Sequence, residues 1–358
     1  MQHGNRVPGV RRIAVLRANA IGDFIFTLPA LEALRAAYPD AEIVLLGKPW
    51  HAAFLADRPG PVDRVIVIPP CRGVGELEDY PNDSETLDRF FAEVAEEDFD
   101  LALQLHGGGR YSNPFACRVG ARVTVGLKTP DAMPLDHWVP YVFFQNEILR
   151  YLEVVSLVGA PPVTLEPRVT VTDADLAEAA PVVPHDNRPL VILHPGAGDP
   201  RRRWPPQKFA AVGDALAASG MRIGVIGTGE DERHLVDTVV GTMRADAVNL
   251  WEKLTLGGLA GLLSRSPLIV SNDSGPLHLA AAVGAATVGI YWCFNLINAG
   301  ALTRARHRPL LAWRLECPAC GLNCLEGQCD HQDSFVSDVP VEDVIDQATE
   351  LLAQSSRQ

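Results

Sequence analysis

Seven consecutive residues, Asn272-Asp273-Ser274-Gly275-Pro276-Leu277-His278, bring an acid, a hydroxyl, a glycine and an imidazole to the junction between an apolar run and a stretch that Pro276 can open as a helix. A helix starting at a strand's carboxyl end offers unpaired N–H groups and the positive end of its dipole, which together hold anions. Ser274 and Gly275 would let a diphosphate approach the backbone, and His278 would add a hydrogen bond about one turn in. The alternative is a capped helix in which Asp273 or Ser274 satisfies those N–H groups. Further upstream, His194-Pro195-Gly196-Ala197-Gly198 is followed by Arg201, Arg202, Arg203 and Trp204. A glycine-rich turn at Gly196 with guanidinium groups suits pyrophosphate, which arginine grips in bidentate fashion; the alternative is a solvated basic loop. Gly227-Thr228-Gly229-Glu230 is a shortened dinucleotide-type turn without the third glycine. Glu230 would hold ribose hydroxyls or simply complement a helix dipole.

Near the start of the chain, Ala20-Ile21-Gly22-Asp23-Phe24 follows an apolar run and leads into Thr27-Leu28-Pro29-Ala30-Leu31. Asp23 is thereby placed at a helix start, where the dipole favours an ionised carboxylate that can take a proton from a hydroxyl, or where it serves only as an N-cap. Gly22 beside it, with His106, Gly107 and Arg110 of Gln104-Leu105-His106-Gly107-Gly108-Gly109-Arg110, are candidates for an acceptor site. Two Asp-x-Asp sequences, Asp98-Phe99-Asp100 and Asp173-Ala174-Asp175, suggest metal-dependent sugar transfer, but the first reads as an acidic turn and the second as a helix start capped by Thr172. Catalysis is therefore expected to need no metal or other cofactor. Cys317, Cys320, Cys324 and Cys329 form a tight thiol cluster: a tetrahedral structural metal site, reduced thiols in a loop, or disulfides.

These residues need strand ends to present them, and the chain supplies two series of βαβ units. The first series has strands at Arg12 to Leu16, Glu42 to Leu46, Arg64 to Ile68, Leu101 to Leu105 and Arg122 to Val125, with a helix from about Asp23 to Ala37. Pro-rich Ala160 to Pro167 and polar Pro181 to Pro189 read as the linker region. The second series has strands at Leu190 to Leu193, Arg222 to Ile226, Leu268 to Ser271 and Thr287 to Tyr291, with helices after Pro206, near Thr255 to Ser264, and from Pro276 to Val283.

A chain of 358 residues exceeds what one core supports, so two domains are expected. With 47% hydrophobic and 21% charged residues the chain is neither disordered nor membrane-spanning, since its apolar runs fall well short of the roughly 20 residues a bilayer needs. Arg17, Asn19 and Asp23 interrupt the first apolar stretch, so no signal-peptide core is read and a cytoplasmic location is expected. The net charge of −13 argues against nucleic acid as a partner and allows at most peripheral contact with an anionic membrane.

Together the motifs resemble glycosyltransferase family 9, the heptosyltransferases: Gly22-Asp23 with Thr27-Leu28-Pro29-Ala30-Leu31, His194-Pro195-Gly196 with Arg202-Arg203-Trp204-Pro205, and Asn272 to Ala282, in the family's order. Arg202 stands where the family commonly has lysine. The resemblance implies an α/β chain of the GT-B fold, two Rossmann-like domains with parallel sheets facing across a cleft. It implies an acceptor-binding domain over 1–180 and a nucleotide-sugar-binding domain over 181–358 carrying the Cys-rich segment 317–329. It further implies inverting, metal-independent transfer from ADP-L-glycero-D-manno-heptose to a lipopolysaccharide core or related glycan, at the inner face of the cytoplasmic membrane. Asp23 becomes the expected general base, and Arg202, Glu230, Asp273, Ser274, Gly275 and His278 the donor contacts, with Gly196 and Gly227 in the turns beside them. The competing readings are a nucleotide-sugar epimerase of the same build and a non-catalytic nucleotide-sugar binding protein.

Overall fold

A computed structural model describes residues 4–182, 188–327 and 329–355, so part of the expected linker, 183–187, lies outside the described residues. The chain divides into two compact units, Met1–Thr170 and Val171–Gln358. The division falls ten residues before the expected boundary at 180, because the helix Asp173–Ala179 packs on the helix Leu256–Arg265 of the second unit. There the Glu178 carboxylate accepts from the backbone N–H and the hydroxyl of Thr255, both at 2.6 Å. A Cβ on Gly261 would fall 2.2 Å from the Asp175 carbonyl oxygen, so glycine is what lets the two helices approach.

The first unit contains β1 (Arg12–Leu16), β2 (Glu42–Gly47), β3 (Arg64–Val67), the short β4 (Cys71–Arg72) and β5 (Gly75–Glu76), β6 (Leu101–Gln104), β7 (Val123–Lys128) and β8 (His137–Pro140). Six of them make one parallel sheet in the order β3-β2-β1-β6-β7-β8. The second unit contains β9 (Leu190–His194), β10 (Arg222–Val225), β11 (Ala247–Asn249), β12 (Leu268–Asn272), β13 (Ala286–Trp292) and β14 (His307–Ala312), all parallel, in the order β11-β10-β9-β12-β13-β14. Each unit is therefore a Rossmann-like sheet whose strand order reverses once, beside β1 in the first and beside β9 in the second. Such a reversal opens a crevice at the carboxyl ends of the two strands that flank it, where α/β proteins bind ligands.

Helices cover both faces of these sheets, so the central strands are apolar throughout rather than alternating: β9, β12 and β13 are buried at every residue. The edge strands β3, β8, β11 and β14 are largely half-buried or exposed. The helix Ile21–Ala37 is buried along most of its length, packed on the helix Glu147–Ser156, and Asp23 in its first turn is among the few residues left partly open. In the second unit Trp204 is fully buried, and its indole N–H donates to the Val339 carbonyl at 3.0 Å. That bond ties the loop after β9 to the C-terminal segment ahead of the helix Val341–Ser355.

Candidate functional site

At the β9/β12 reversal the last residues of both strands meet. The His194 imidazole Nδ1 lies 3.0 Å from the Ser274 hydroxyl and 3.2 Å from that of Ser271, and its Nε2 lies 3.3 Å from a Glu232 carboxylate oxygen. The Asn272 side chain accepts from the Trp204 N–H at 3.0 Å and donates to the Pro195 carbonyl at 2.8 Å, clamping the loop after β9 onto the end of β12. Asp273, only 2% exposed, holds Arg202 Nη1 at 3.0 Å on one carboxylate oxygen and His278 Nε2 at 3.1 Å on the other. The arginine turn is set by Asp199, whose carboxylate accepts from the Arg201 backbone N–H at 3.0 Å and from its guanidinium.

The helix Gly275–Ala282 begins inside this array with Ser274 at the N-cap position. The Ser274 side chain does not cap it. Its hydroxyl turns instead to His194 and the Asn272 carbonyl, so the first-turn N–H groups have no side-chain acceptor from the cap. Buried acid, guanidinium, imidazole and an uncapped helix start thus converge, an arrangement suited to a diphosphate. Next to them Tyr291 is buried, and desolvation, with the Asp273 charge adding to it, pushes its phenol well above its ordinary value.

At the β1/β6 reversal of the first unit, Asp23 occupies the third position of its helix rather than the N-cap, which is Ala20. One carboxylate oxygen accepts from the Ala20 N–H at 3.2 Å and the other from Arg17 Nη2 at 2.8 Å. Arg17 is buried. It also donates to the Leu105 carbonyl at 2.6 Å, lies 3.7 Å from Glu147, and sits over the Tyr151 ring at 5.0 Å. Burial raises the Glu147 carboxyl despite the charges of Arg17 and Arg150 beside it. Burial, and then the Arg17 charge, lower His106 to about 3, so it is a neutral imidazole whose Nδ1 accepts from the Ala18 N–H at 3.3 Å. Gly107 takes φ 64°, where glycine is unstrained, while Arg110 is exposed and faces Glu78 and Asp131, each at 3.9 Å. Gly22 is buried in the first helical turn beside Asp23.

The family model for glycosyltransferase family 9 (heptosyltransferase) matches residues 87–308. The chain belongs to glycosyltransferase family 9. This family 9 enzyme is 24% identical over 295 residues to lipooligosaccharide heptosyltransferase 2 of Haemophilus influenzae, covering 78% of this chain and 82% of that one. Its fold is that of the family 9 glycosyl transferase of Veillonella parvula, with a TM-score of 0.76 at 22% identity over 96% of this chain and 97% of that one. The Escherichia coli ADP-heptose lps heptosyltransferase II also superposes with a TM-score of 0.76, at 18% identity over 97% of this chain and 99% of that one. The chain is thus a glycosyltransferase of the GT-B fold.

Within this family 9 fold the sequence motifs separate by role. Arg202, Asp273, Ser274, Gly275 and His278 come together. Glu230 does not join them: it is exposed and pairs with Arg233 at 3.6 Å. Glu232, two residues on, turns back instead; burial would raise its carboxyl, but the His194 imidazole and the Thr228 N–H hold it below its ordinary range. Gly196 makes room for it, since a Cβ there would fall 1.9 Å from Glu232 Oε1, while a Cβ on Gly227 would meet Val236 Cγ2 at 2.7 Å. Arg17, Glu147 and Glu232 escaped the sequence reading. Only for Glu232 was there a local signal, the acidic run Glu230-Asp231-Glu232, and it does not say which acid faces inward. Both Asp-x-Asp sequences serve local structure: Asp100 accepts from the Arg11 and Arg12 N–H groups, and Asp175 completes a capping box with Thr172. Finally, the thiol cluster differs from the expected set. Cys317, Cys320 and Cys329 gather with His331, their ligand atoms all within 4.8 Å of one another, and Cys324 is not among them. Cys324 follows the bend that joins the two limbs, where its N–H donates to the Leu315 carbonyl.

Proposed function

We propose that this chain transfers a heptose from ADP-L-glycero-D-manno-heptose to a hydroxyl of a lipopolysaccharide core, by a single inverting displacement that requires no divalent metal. The observation that carries the reading is the Arg202–Asp273–His278 array around the uncapped start of the helix Gly275–Ala282. The buried Asp273 orients a guanidinium and an imidazole, and these, with the helix N–H groups, offset the charge that grows on the leaving diphosphate as the anomeric C–O bond breaks. The acceptor oxygen forms the new bond from the opposite face of the sugar and loses its proton to Asp23, which Arg17 holds in place. ADP-heptose is favoured as donor because the similar Escherichia coli structure is of an ADP-heptose lps heptosyltransferase. No described helix is long and apolar enough to cross a membrane, which accords with peripheral action on a lipid-linked acceptor at the inner face of the cytoplasmic membrane.

The experiment is a panel of nucleotide sugars, each with and without a heptose-free core acceptor. Acceptor-dependent consumption of ADP-heptose, with the anomeric configuration inverted in the product, is expected. Isomerisation of the donor alone would instead establish an epimerase, and tight binding without turnover a binding protein.

A further inference from the structure

The geometry points to a structural metal site in the loop between β14 and the helix Val341–Ser355: one divalent ion, zinc, held tetrahedrally by the thiolates of Cys317, Cys320 and Cys329 and the imidazole of His331, bracing the turn that carries Arg202. Three sulfurs and one ring nitrogen within 4.8 Å of one another form a donor set that borderline-soft zinc takes readily.

The backbone around them is built for a metal rather than for a disulfide. Cys317-Pro318-Ala319-Cys320-Gly321 folds into a tight knuckle: the Gly321 N–H donates to the Cys317 carbonyl at 2.9 Å, the Cys317 N–H to the Leu322 carbonyl at 2.9 Å, and Glu316 bridges Asn323 across the bend. Gly321 takes φ 73°, which a residue with a side chain adopts only under strain, so the turn depends on glycine. Three thiols on one centre cannot all be satisfied by one disulfide, whereas a tetrahedral ion uses all of them and the imidazole too. On binding, the thiols release their protons to solvent.

What the clip braces follows from where its limbs attach. On one side the Arg314 carbonyl accepts from the Trp292 indole N–H at 2.7 Å. On the other, the Phe335 N–H donates to the Arg201 carbonyl at 2.8 Å and the Ser334 hydroxyl to the Arg203 carbonyl at 2.6 Å. Cys317 and Phe335 are buried in the second unit's core. The carbonyls on both sides of Arg202 are therefore held by residues that follow the cluster closely in the chain, so an unclipped loop loosens the guanidinium that faces Asp273.

Full-length protein is purified under reducing conditions, supplied with zinc chloride, desalted and analysed for metal and for ADP affinity. About one zinc per chain is expected, with cobalt(II) replacement giving the intense visible bands of a tetrahedral thiolate site. Cys320→Ala and Cys329→Ala should lose the metal and weaken ADP binding about tenfold, whereas Cys324→Ala should keep both. No metal on the wild type, or equal loss from Cys324→Ala, overturns the site. Intact metal binding whose removal leaves ADP affinity unchanged overturns the bracing role. The ADP arm rests on the donor reading above, so a wild type that holds zinc but does not bind ADP refutes that reading and leaves the metal stoichiometry as independent support for the site.

Discussion

Replacing Arg202 with alanine separates the two jobs assigned to that side chain. Its guanidinium is one-quarter exposed, while its partner Asp273 is 2% exposed and, among the described residues, keeps His278 as its side-chain partner once Arg202 is gone. Stranding a fully buried charge costs about 3–5 kcal/mol. Partial solvent access to Arg202 and the remaining imidazole reduce that here to about 1–3 kcal/mol. A unit of this size loses about 2–4 °C of thermal midpoint per kcal/mol, so a fall of about 2–12 °C is expected. Separately, a charge-assisted bond to phosphate contributes about 1.5–3 kcal/mol, so ADP affinity should drop about ten- to a hundredfold. The double variant Arg202→Ala/Asp273→Asn distinguishes the effects, because it removes the stranded charge: most of the midpoint should return and the ADP affinity should not. Differential scanning fluorimetry and calorimetric titration read both. Unchanged ADP affinity in Arg202→Ala would take the guanidinium out of the donor site, and an unchanged midpoint would refute the argument from the buried pair.

Other consequences follow from the same geometry. Gly196→Ala forces the Glu232 carboxylate off His194 and the Thr228 N–H, since the added Cβ would lie 1.9 Å from Glu232 Oε1; a stability loss of about 1–3 kcal/mol is expected in urea titrations, and an unaltered curve would contradict the packing. His51 and His106 are both lowered to about 3, by burial first, so the unfolded chain binds their protons at higher pH than the folded one. Their contribution is complete above pH 6.5 and is lost between there and pH 3, at up to about 1.4 kcal/mol per pH unit for each. His51→Phe should remove about half of that slope, and a pH dependence identical to wild type would refute the assignment. Turnover in buffer without magnesium or manganese should match turnover with either added, and activation by either ion would sink the metal-independent displacement.

The central strands were legible because burial on both faces leaves an apolar run: Leu190 to Leu193 and Leu268 to Ser271 were found to within a residue. The edges were not. His137–Pro140, Ala247–Asn249 and His307–Ala312 are half-open strands whose mixed composition carries neither an apolar run nor a clean alternation. The chain division moved to Thr170 because the proline-rich stretch marks flexibility, whereas the packing of Asp173–Ala179 on Leu256–Arg265 is a long-range contact without local trace. At the candidate sites, the residues legible in the sequence are those at backbone turns: Asp23, Arg202 and the Asp273 to His278 run. Arg17 and Glu147 are not, since their pairing joins the end of β1 to a helix far along the chain. His331 carries no local signal beside four closely spaced thiols, and it is the folded loop that brings its ring to Cys317, Cys320 and Cys329.

The most direct test of the proposed chemistry is the turnover of Asp23→Asn. Asparagine keeps an oxygen for the Ala20 N–H and nearly the same volume, so the helix start is preserved while the proton acceptor is lost. Loss of general-base assistance should lower turnover with ADP-heptose and core acceptor by about 10²–10⁴-fold, with ADP affinity close to wild type and the protein still folded, at a thermal midpoint lowered because the asparagine NH2 now faces the buried Arg17 guanidinium. A folded, ADP-binding Asp23→Asn protein with near-normal turnover would contradict the account and leave Asp23 as a helix-capping residue alone.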